Sequence, residues 1–487
     1  MLNKLTVCNN VEQLFNKLKR MKIISKISKI VPLLLVVLVL TASCNNDDDN
    51  TITIPMEGNI VEVALTDPQL TSLVTALQIT GLTSVLEQDG PFTVLAPTNA
   101  AFTAFLNGTP IENVPVDALS AILLNHVISG DFEAADLINL GEGYVPSSSP
   151  NAQGLNISIY FNTSNGVRFN GTAGVTTDGA NISASNGVIH KIDRVLDLPD
   201  IADHAIANPN LTSLVTALGE AGLVGAVQGP GPLTVLAPDN DAFATFLDGA
   251  DPADVPVDIL TNILLNHVLA GSITSTMLTD MGEGYTTTLA QNADADALSL
   301  YFNTTNGVSF NGISGVTNAD IVATNGVIHT VNAVIGLPTI ATFATSNPAL
   351  SGLVAAVLRA DEGDNVINWL PAISNPDLLF TVFAPADPAF DVLLSDLGVS
   401  GLDQVDPAAV NGLLTLHVVN NANVRSTDLG DLGGVIPTIG GNLSLDGVVI
   451  TDGDGNTINI LAPSLVDIQA INGVVHAVDY VIRSAVE

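Results

Sequence analysis

Seven histidines carry most of the acid–base and metal-binding potential of this chain, and six of them recur at matching places. His126, His267 and His417 each follow a leucine-rich run, while His190, His329 and His476 each end an Asn-Gly-Val-Ile or Asn-Gly-Val-Val string. A neutral imidazole can ligate a metal or pass a proton near pH 7, so repeated histidines are the first place to look for chemistry. Their spacing argues against it, because no two stand close enough in the chain to form a local chelating pair. His126 shares a helical stripe with Leu119, Ile122 and Leu123, and His190 shares a strand face with Val188 and Ile192. Histidines on apolar faces are expected inside, bonded to backbone carbonyls. His204 stands alone and is expected at the surface. No catalytic triad suggests itself, so the chain is expected to be no enzyme and to hold no metal or cofactor.

Two other stretches invite a chemical reading. Asp452-Gly453-Asp454-Gly455-Asn456 begins like a calcium-binding EF-hand loop, but the sixth position is Thr457 rather than glycine and the twelfth is Pro463 rather than glutamate. It is expected to be an acidic hairpin turn. Tyr160-Phe161, Tyr301-Phe302 and Trp369 would form a platform for a glycan or small molecule if they were exposed. Trp369 lies in a stretch, Asp361 to Asp377, found only in the last third of the chain, which reads either as a contact loop or as a packed insertion.

The elements that must position these residues are repeated three times. Thr93-Val94-Leu95-Ala96-Pro97-Thr98-Asn99-Ala100-Ala101-Phe102 recurs as Thr234-Val235-Leu236-Ala237-Pro238-Asp239-Asn240-Asp241-Ala242-Phe243 and as Thr381-Val382-Phe383-Ala384-Pro385-Ala386-Asp387-Pro388-Ala389-Phe390, at spacings of 141 and 147 residues. The closing strings ending in His190, His329 and His476 repeat at 139 and 147. Periods this long mean tandem domains rather than a solenoid. Modules are expected at 56–198, 199–337 and 338–487, with Leu198-Pro199 and Leu337-Pro338 stiffening the crossings into a semi-rigid rod.

Within a module the hydrophobic period changes. Leu70, Leu73, Val74 and Leu77 mark one face of a helix, repeated by Leu211, Leu214, Val215 and Leu218. A short strand follows at Thr93 to Leu95, then a helix capped by Asn99 or a neighbour with Ala101, Phe102 and Phe105 inward, then a helix bearing Leu119, Ile122, Leu123 and Val127. From Leu155 to Phe161 the pattern alternates in twos, and Asn165-Gly166 signals a turn. The fold class is α+β with an antiparallel sheet.

The N-terminal segment differs from the rest. It holds seven of the 13 basic residues and ends in an apolar run, Ile30 to Leu40, of 11 residues, too short for a membrane-spanning helix. Thr41-Ala42-Ser43-Cys44 then resembles a bacterial lipobox, in which the cysteine is acylated, with Thr41 in place of the usual leucine. Cleavage there would leave 1–43 as a signal peptide, with Met21 as an alternative start, and 44–55 as an acidic tether containing Asn45-Asn46-Asp47-Asp48-Asp49-Asn50. That tether resembles the export signals of Bacteroidetes-type surface lipoproteins; a plain flexible spacer is the other reading. Acylated Cys44 would fix the chain to a lipid bilayer, at the surface of an outer membrane or on its periplasmic face.

Without residues 1–43 the chain keeps six basic residues against 48 acidic ones, a net charge of −42. Such a surface repels phosphate backbones, which excludes nucleic acid as a partner. It suits solubility in salty water or bridging by divalent cations.

The two repeated boxes resemble the signature boxes of fasciclin domains, over nearly all of residues 56–487. The resemblance implies three tandem fasciclin-like domains, each an antiparallel β-sandwich or wedge flanked by helices. It implies adhesion or matrix contact with a protein or polysaccharide rather than catalysis. The family-motif positions are Pro97, Asn99, Phe102, His126 and His190; Pro238, Asn240, Phe243, His267 and His329; and Pro385, Asp387, Phe390, His417 and His476. One departure matters. Where the family commonly carries a Tyr-His pair associated with adhesive binding, this chain reads Asn125-His126, Asn266-His267 and Leu416-His417, so only the histidines carry over.

Overall fold

Each module opens with a helix whose start is written in polar residues. Asn59 accepts the Glu62 N–H and Glu62 returns a bond to the Asn59 N–H, closing a capping box ahead of Ile60–Thr66. Asp200 with Asp203, and Thr339 with Thr342, do the same for Ile201–Ala207 and Ile340–Ser346. A second helix, Thr71–Thr80, buries Leu73, Ala76 and Leu77 and stops at Gly81, which is left-handed at φ 72°. These belong to a computed structural model that describes residues 58–363, 367–447 and 449–483. The signal-peptide, Cys44 and tether readings fall outside the described residues. The described residues fall in one compact unit.

The opening strand Phe92–Pro97 is followed by the helix Asn99–Leu106, capped by Thr98, whose hydroxyl accepts the Ala101 N–H. The helix Val116–Leu124 comes next and buries Leu119 and Leu123; Val127, expected on that helix, instead opens the strand Val127–Ser129, which pairs with the opening strand. The strands then run through Glu142–Pro150 and Asn156–Asn162 to the closing strand Gly187–Ile192. Most pairings are antiparallel. The exception is central, since the opening and closing strands lie side by side in parallel, with Leu95 opposite His190. The same parallel pair joins Leu233–Pro238 to Gly326–Val331 and Phe380–Pro385 to Gly473–Val478. The two repeated boxes, some 90 residues apart in sequence, are therefore neighbours in the sheet. Gly187 permits the contact, because a side chain there would overlap the Phe92 carbonyl oxygen.

Every module has two apolar clusters. In the first module one packs Leu73, Leu77, Phe102 and Leu119 between helices and sheet, and the other gathers Leu95, Ile159, Phe161 and Phe169. The strands of the second module close into a barrel, whereas those of the third divide into two four-stranded sheets.

In the stretch peculiar to the third module, Trp369 and Ile373 are packed rather than presented. Trp369 begins a helix, Trp369–Ser374, and is 1% exposed, its indole N–H donating to Asn411 at 2.8 Å. The Asp361 carboxylate accepts the N–H groups of Trp369 and Leu370. Tyr160 and Tyr301 are also buried, at 1% and 2% exposure, with Phe161 and Phe302 behind them. The aromatics that would have formed a platform if exposed are therefore buried, and the glycan reading loses its main support.

Candidate functional site

The family-motif polar residues tie helices to the sheet. Asn99 accepts the Ser72 N–H at 2.8 Å through Oδ1 and donates through Nδ2 to the Pro68 carbonyl, pinning the second helix to the start of the third. Asn240 repeats both bonds with Ser213 and Pro209, and Asp387 accepts the Gly352 N–H at 2.7 Å. Phe102, Phe243 and Phe390 fill the helical cores, and Pro97, Pro238 and Pro385 end the opening strands opposite Ile192, Val331 and Val478. Asn186, Asn325 and Asn472 do more than their turn position suggested. Asn186 Oδ1 accepts the Ile60 N–H at 2.9 Å, and its Nδ2 donates to the carbonyls of Leu86 and Gln88. Asn325 and Asn472 reproduce the bond at Ile201 and Ile340.

The six repeated histidines are buried and fall into two sets of opposite tautomer. His126 Nδ1 lies 2.7 Å from the Ile122 carbonyl, while Nε2 accepts the Leu196 N–H at 2.8 Å, which requires the proton on Nδ1. His267 and His417 match it, with Ile335 and Ile482 as donors. His190 is reversed, since Nε2 meets the Phe132 carbonyl at 2.8 Å and Nδ1 accepts the Asn181 N–H. His329 and His476 follow it. Burial holds His126, His267 and His417 down to about 4, and pushes His190, His329 and His476 below the usual imidazole value. With both nitrogens engaged by backbone, none offers a free lone pair.

Serine, aspartate and histidine do come together in two modules. Ser275 Oγ bonds Asp320, whose backbone N–H meets His329, and Ser426, Asp467 and His476 repeat this. The serine donates to the carboxylate rather than to the imidazole, so the Ser–His contact of a triad is not made in either set. Among the described residues no group of three His, Cys, Asp or Glu side chains is arranged to hold a metal ion. Asp452 is committed to its own turn, accepting the N–H groups of Asp454, Asn456 and Arg483.

A built site does appear where modules meet. Glu142 Oε2 accepts the Tyr160 hydroxyl at 2.8 Å and Asn162 Nδ2 at 2.9 Å, and Oε1 accepts Asn210 Nδ2 from the second module at 2.7 Å. Asn208 Nδ2 donates to the Tyr144 hydroxyl, and Ser158 Oγ accepts the Val322 N–H at 3.0 Å. The next crossing uses the same parts, namely Glu283, Tyr301, Asn303, Asn347 with Tyr285, and Ser299 with the Gln469 N–H. His204 belongs here, contrary to the exposed position expected for it. It is 0% exposed because the first module covers its helix, and its ring meets Tyr144 edge-on at 5.6 Å. Phe343 takes the same place against Tyr285 at 5.5 Å. A cleft of about 490 Å³ opens beside the first crossing, lined by Glu142, Tyr144, Asn208, Asn210, Asp239 and Asp241 among others.

Comparison with known proteins agrees with the repeated boxes. The family model of the fasciclin domain matches residues 68–199, 209–338 and 353–484. The chain belongs to the fasciclin-domain family. Transforming growth factor-beta-induced protein ig-h3 of Sus scrofa is 27% identical over 452 residues, covering 88% of this chain and 58% of that protein. The chain thus spans little more than half the length of that relative. The uncharacterized protein sll1735 of Synechocystis is 38% identical over 141 residues, 96% of its length and 28% of this chain. A solved pair of FAS1 domains from the insect cell adhesion molecule fasciclin I covers 56% of this chain and 96% of its own, at 18% identity and a TM-score of 0.35.

In these fasciclin modules the position before the first histidine is structural. Asn125 Nδ2 donates to the Asp197 carbonyl, and Asn266 to those of Ile335 and Gly336, tying the helix end to the segment that leaves the module. An asparagine so employed is buried and offers no hydroxyl to a receptor. The junction set built on Glu142, Tyr144 and Asn208 was not singled out from sequence. The signal for it was the repeat of Glu142, Tyr144, Tyr160 and Asn162 as Glu283, Tyr285, Tyr301 and Asn303, at 141 residues.

Proposed function

We propose that this protein is a non-catalytic adhesion or matrix-contact lipoprotein, held by acylated Cys44 at the surface of an outer membrane. It binds a protein or polysaccharide through three fasciclin modules whose boundaries we set at 56–198, 199–337 and 338–487. The observation that carries the reading is the match of the fasciclin domain to about four fifths of the chain, in three copies. The lipobox-like string at Cys44 and the acidic stretch after it support the anchor. The orientation and hydrogen bonding of the histidines support a non-catalytic role, since each imidazole serves the backbone. Acylation is tested by metabolic labelling with a fatty acid, in which the parent chain takes up label and Cys44→Ala does not. Equal labelling of both would remove the anchor from the account. A lipoprotein scaffold on the periplasmic face is the other reading, and it shares the anchor but not the exposure.

A further inference from the structure

The two crossings share a scaffold of glutamate, tyrosines and asparagine but differ in one buried residue that can change charge. His204 stands where the next crossing has Phe343, each edge-on to a tyrosine of the preceding module, Tyr144 at 5.6 Å and Tyr285 at 5.5 Å. Both side chains are 0% exposed. Only His204 can take up a proton.

The bonding of His204 leaves no place for that proton. Nε2 lies 3.1 Å from the Val322 carbonyl, so the neutral ring carries its hydrogen there, and Nδ1 is buried without a partner. An imidazolium would add an N–H at Nδ1 with nothing to accept it, and burial already holds this ring down to about 4. The surrounding groups give little relief. Tyr144 faces the ring from the first module, with Tyr160 beside it and Glu142 bonded to Tyr160. Asp203, on the same helix as His204, favours the charged ring through its own charge, but less than burial opposes it. Of the elements packed against that helix, Thr212–Glu220 carries Glu220, Ser314–Ala323 carries Asp320, and Gly326–Val331 carries His329, whose nitrogens are engaged by the Ile273 carbonyl and the Asp320 N–H. The water that a charged His204 needs is kept out by the first module. Lifting that module away admits it.

The second crossing has no such group and carries a further tie. Arg425 bonds Asp296 at 3.0 Å, where the first crossing has Thr274 and Leu155.

We infer that the first crossing is an acid-sensitive joint, at which protonation of His204 releases the first module from the second while the second and third stay docked. This concerns the joint alone and is independent of what the array binds and where it is anchored.

Each crossing contains an amide held by a serine of the preceding module, which makes the two separable by experiment. The Val322 N–H donates to Ser158 Oγ at 3.0 Å, and the Gln469 N–H to Ser299 Oγ at 2.9 Å. The test is hydrogen exchange of the full chain, read at single amides between pH 7.5 and pH 5 and corrected for the intrinsic rate. An exposed His204 titrates near 6.5 and the covered one near 4, so the open form binds more protons between these values and opening grows as pH falls. Exchange at Val322 is expected to rise at least about tenfold by pH 5, with Gln469 unchanged. The Ile335 N–H, bonded to His267 inside the second module, reports unfolding of that module and is expected to stay slower than Val322 throughout. His204→Phe, copying Phe343, is expected to remove the response at Val322, and Phe343→His to confer one on Gln469. A parent response absent from Val322, equal at Val322 and Gln469, or matched in rate by Ile335 would overturn the inference. So would a response undiminished in His204→Phe or not gained in Phe343→His.

Discussion

His126 Nε2 accepts the backbone N–H of Leu196 at 2.8 Å, across 70 residues of sequence. The bond joins the end of a helix to the segment that leads into the next module, and it requires an uncharged imidazole. Protonating the ring would set two N–H groups against each other at a buried site.

Stability should therefore fall in acid. The folded-state values of His126, His204, His267 and His417 are about 4, depressed from 6.5 mainly by burial. The unfolded chain then binds more protons than the folded one between those values. The contribution is complete above pH 6.5 and is lost as pH falls toward 4, on the order of 3 kcal/mol per histidine. Thermal unfolding followed by circular dichroism from pH 8 to pH 4 should show the melting temperature flat above pH 7 and dropping below pH 6. A flat profile down to pH 4.5 would contradict the assignment.

Replacing His126 by alanine leaves the Leu196 N–H and the Ile122 carbonyl without partners. The expected loss is about 2–4 kcal/mol, read as a lower urea midpoint with an unchanged slope. A loss under about 0.5 kcal/mol would mean that the paired groups find other partners.

His204→Phe should act in the opposite direction. His204 Nδ1 is buried without a hydrogen-bond partner, and the second crossing already uses Phe343 in that place. The variant is expected to gain about 1 kcal/mol and to be less sensitive to acid than the parent. Destabilisation of similar size would show that the Nε2 contact to the Val322 carbonyl outweighs the orphaned nitrogen.

Much of the fold was legible because each repeat wrote it again. The helix faces at Leu73 and Leu77 and the strand period around Ile157 and Ile159 follow from local apolar spacing. The parallel pairing of the two boxes was not legible, since nothing local distinguishes a parallel partner 90 residues away from an antiparallel neighbour. The exposure of His204 was misread, and the burial of Tyr160 has the same cause. Both sit on faces that a single module leaves open and an adjoining module covers, as the unbroken burial from Ile157 to Phe161 records. Period-two alternation marks one buried face, and the second was supplied by the neighbouring domain.

Asn186→Asp tests the reading of the closing box as a clasp. Oδ1 still accepts the Ile60 N–H, but the two donations to Leu86 and Gln88 become repulsions between carboxylate and carbonyl. A loss of about 2–3 kcal/mol is expected, larger than for substitution of an exposed asparagine such as Asn113. Equal effects would contradict the clasp.

The central claim, that this is a surface-displayed array of fasciclin modules, is tested most directly by protease shaving of intact cells, with mass spectrometry of the released peptides. The account predicts peptides from all three modules, between residues 58 and 483, before the envelope is broken. Protection of every module until lysis would contradict surface display and leave the chain as a lipoprotein facing the periplasm.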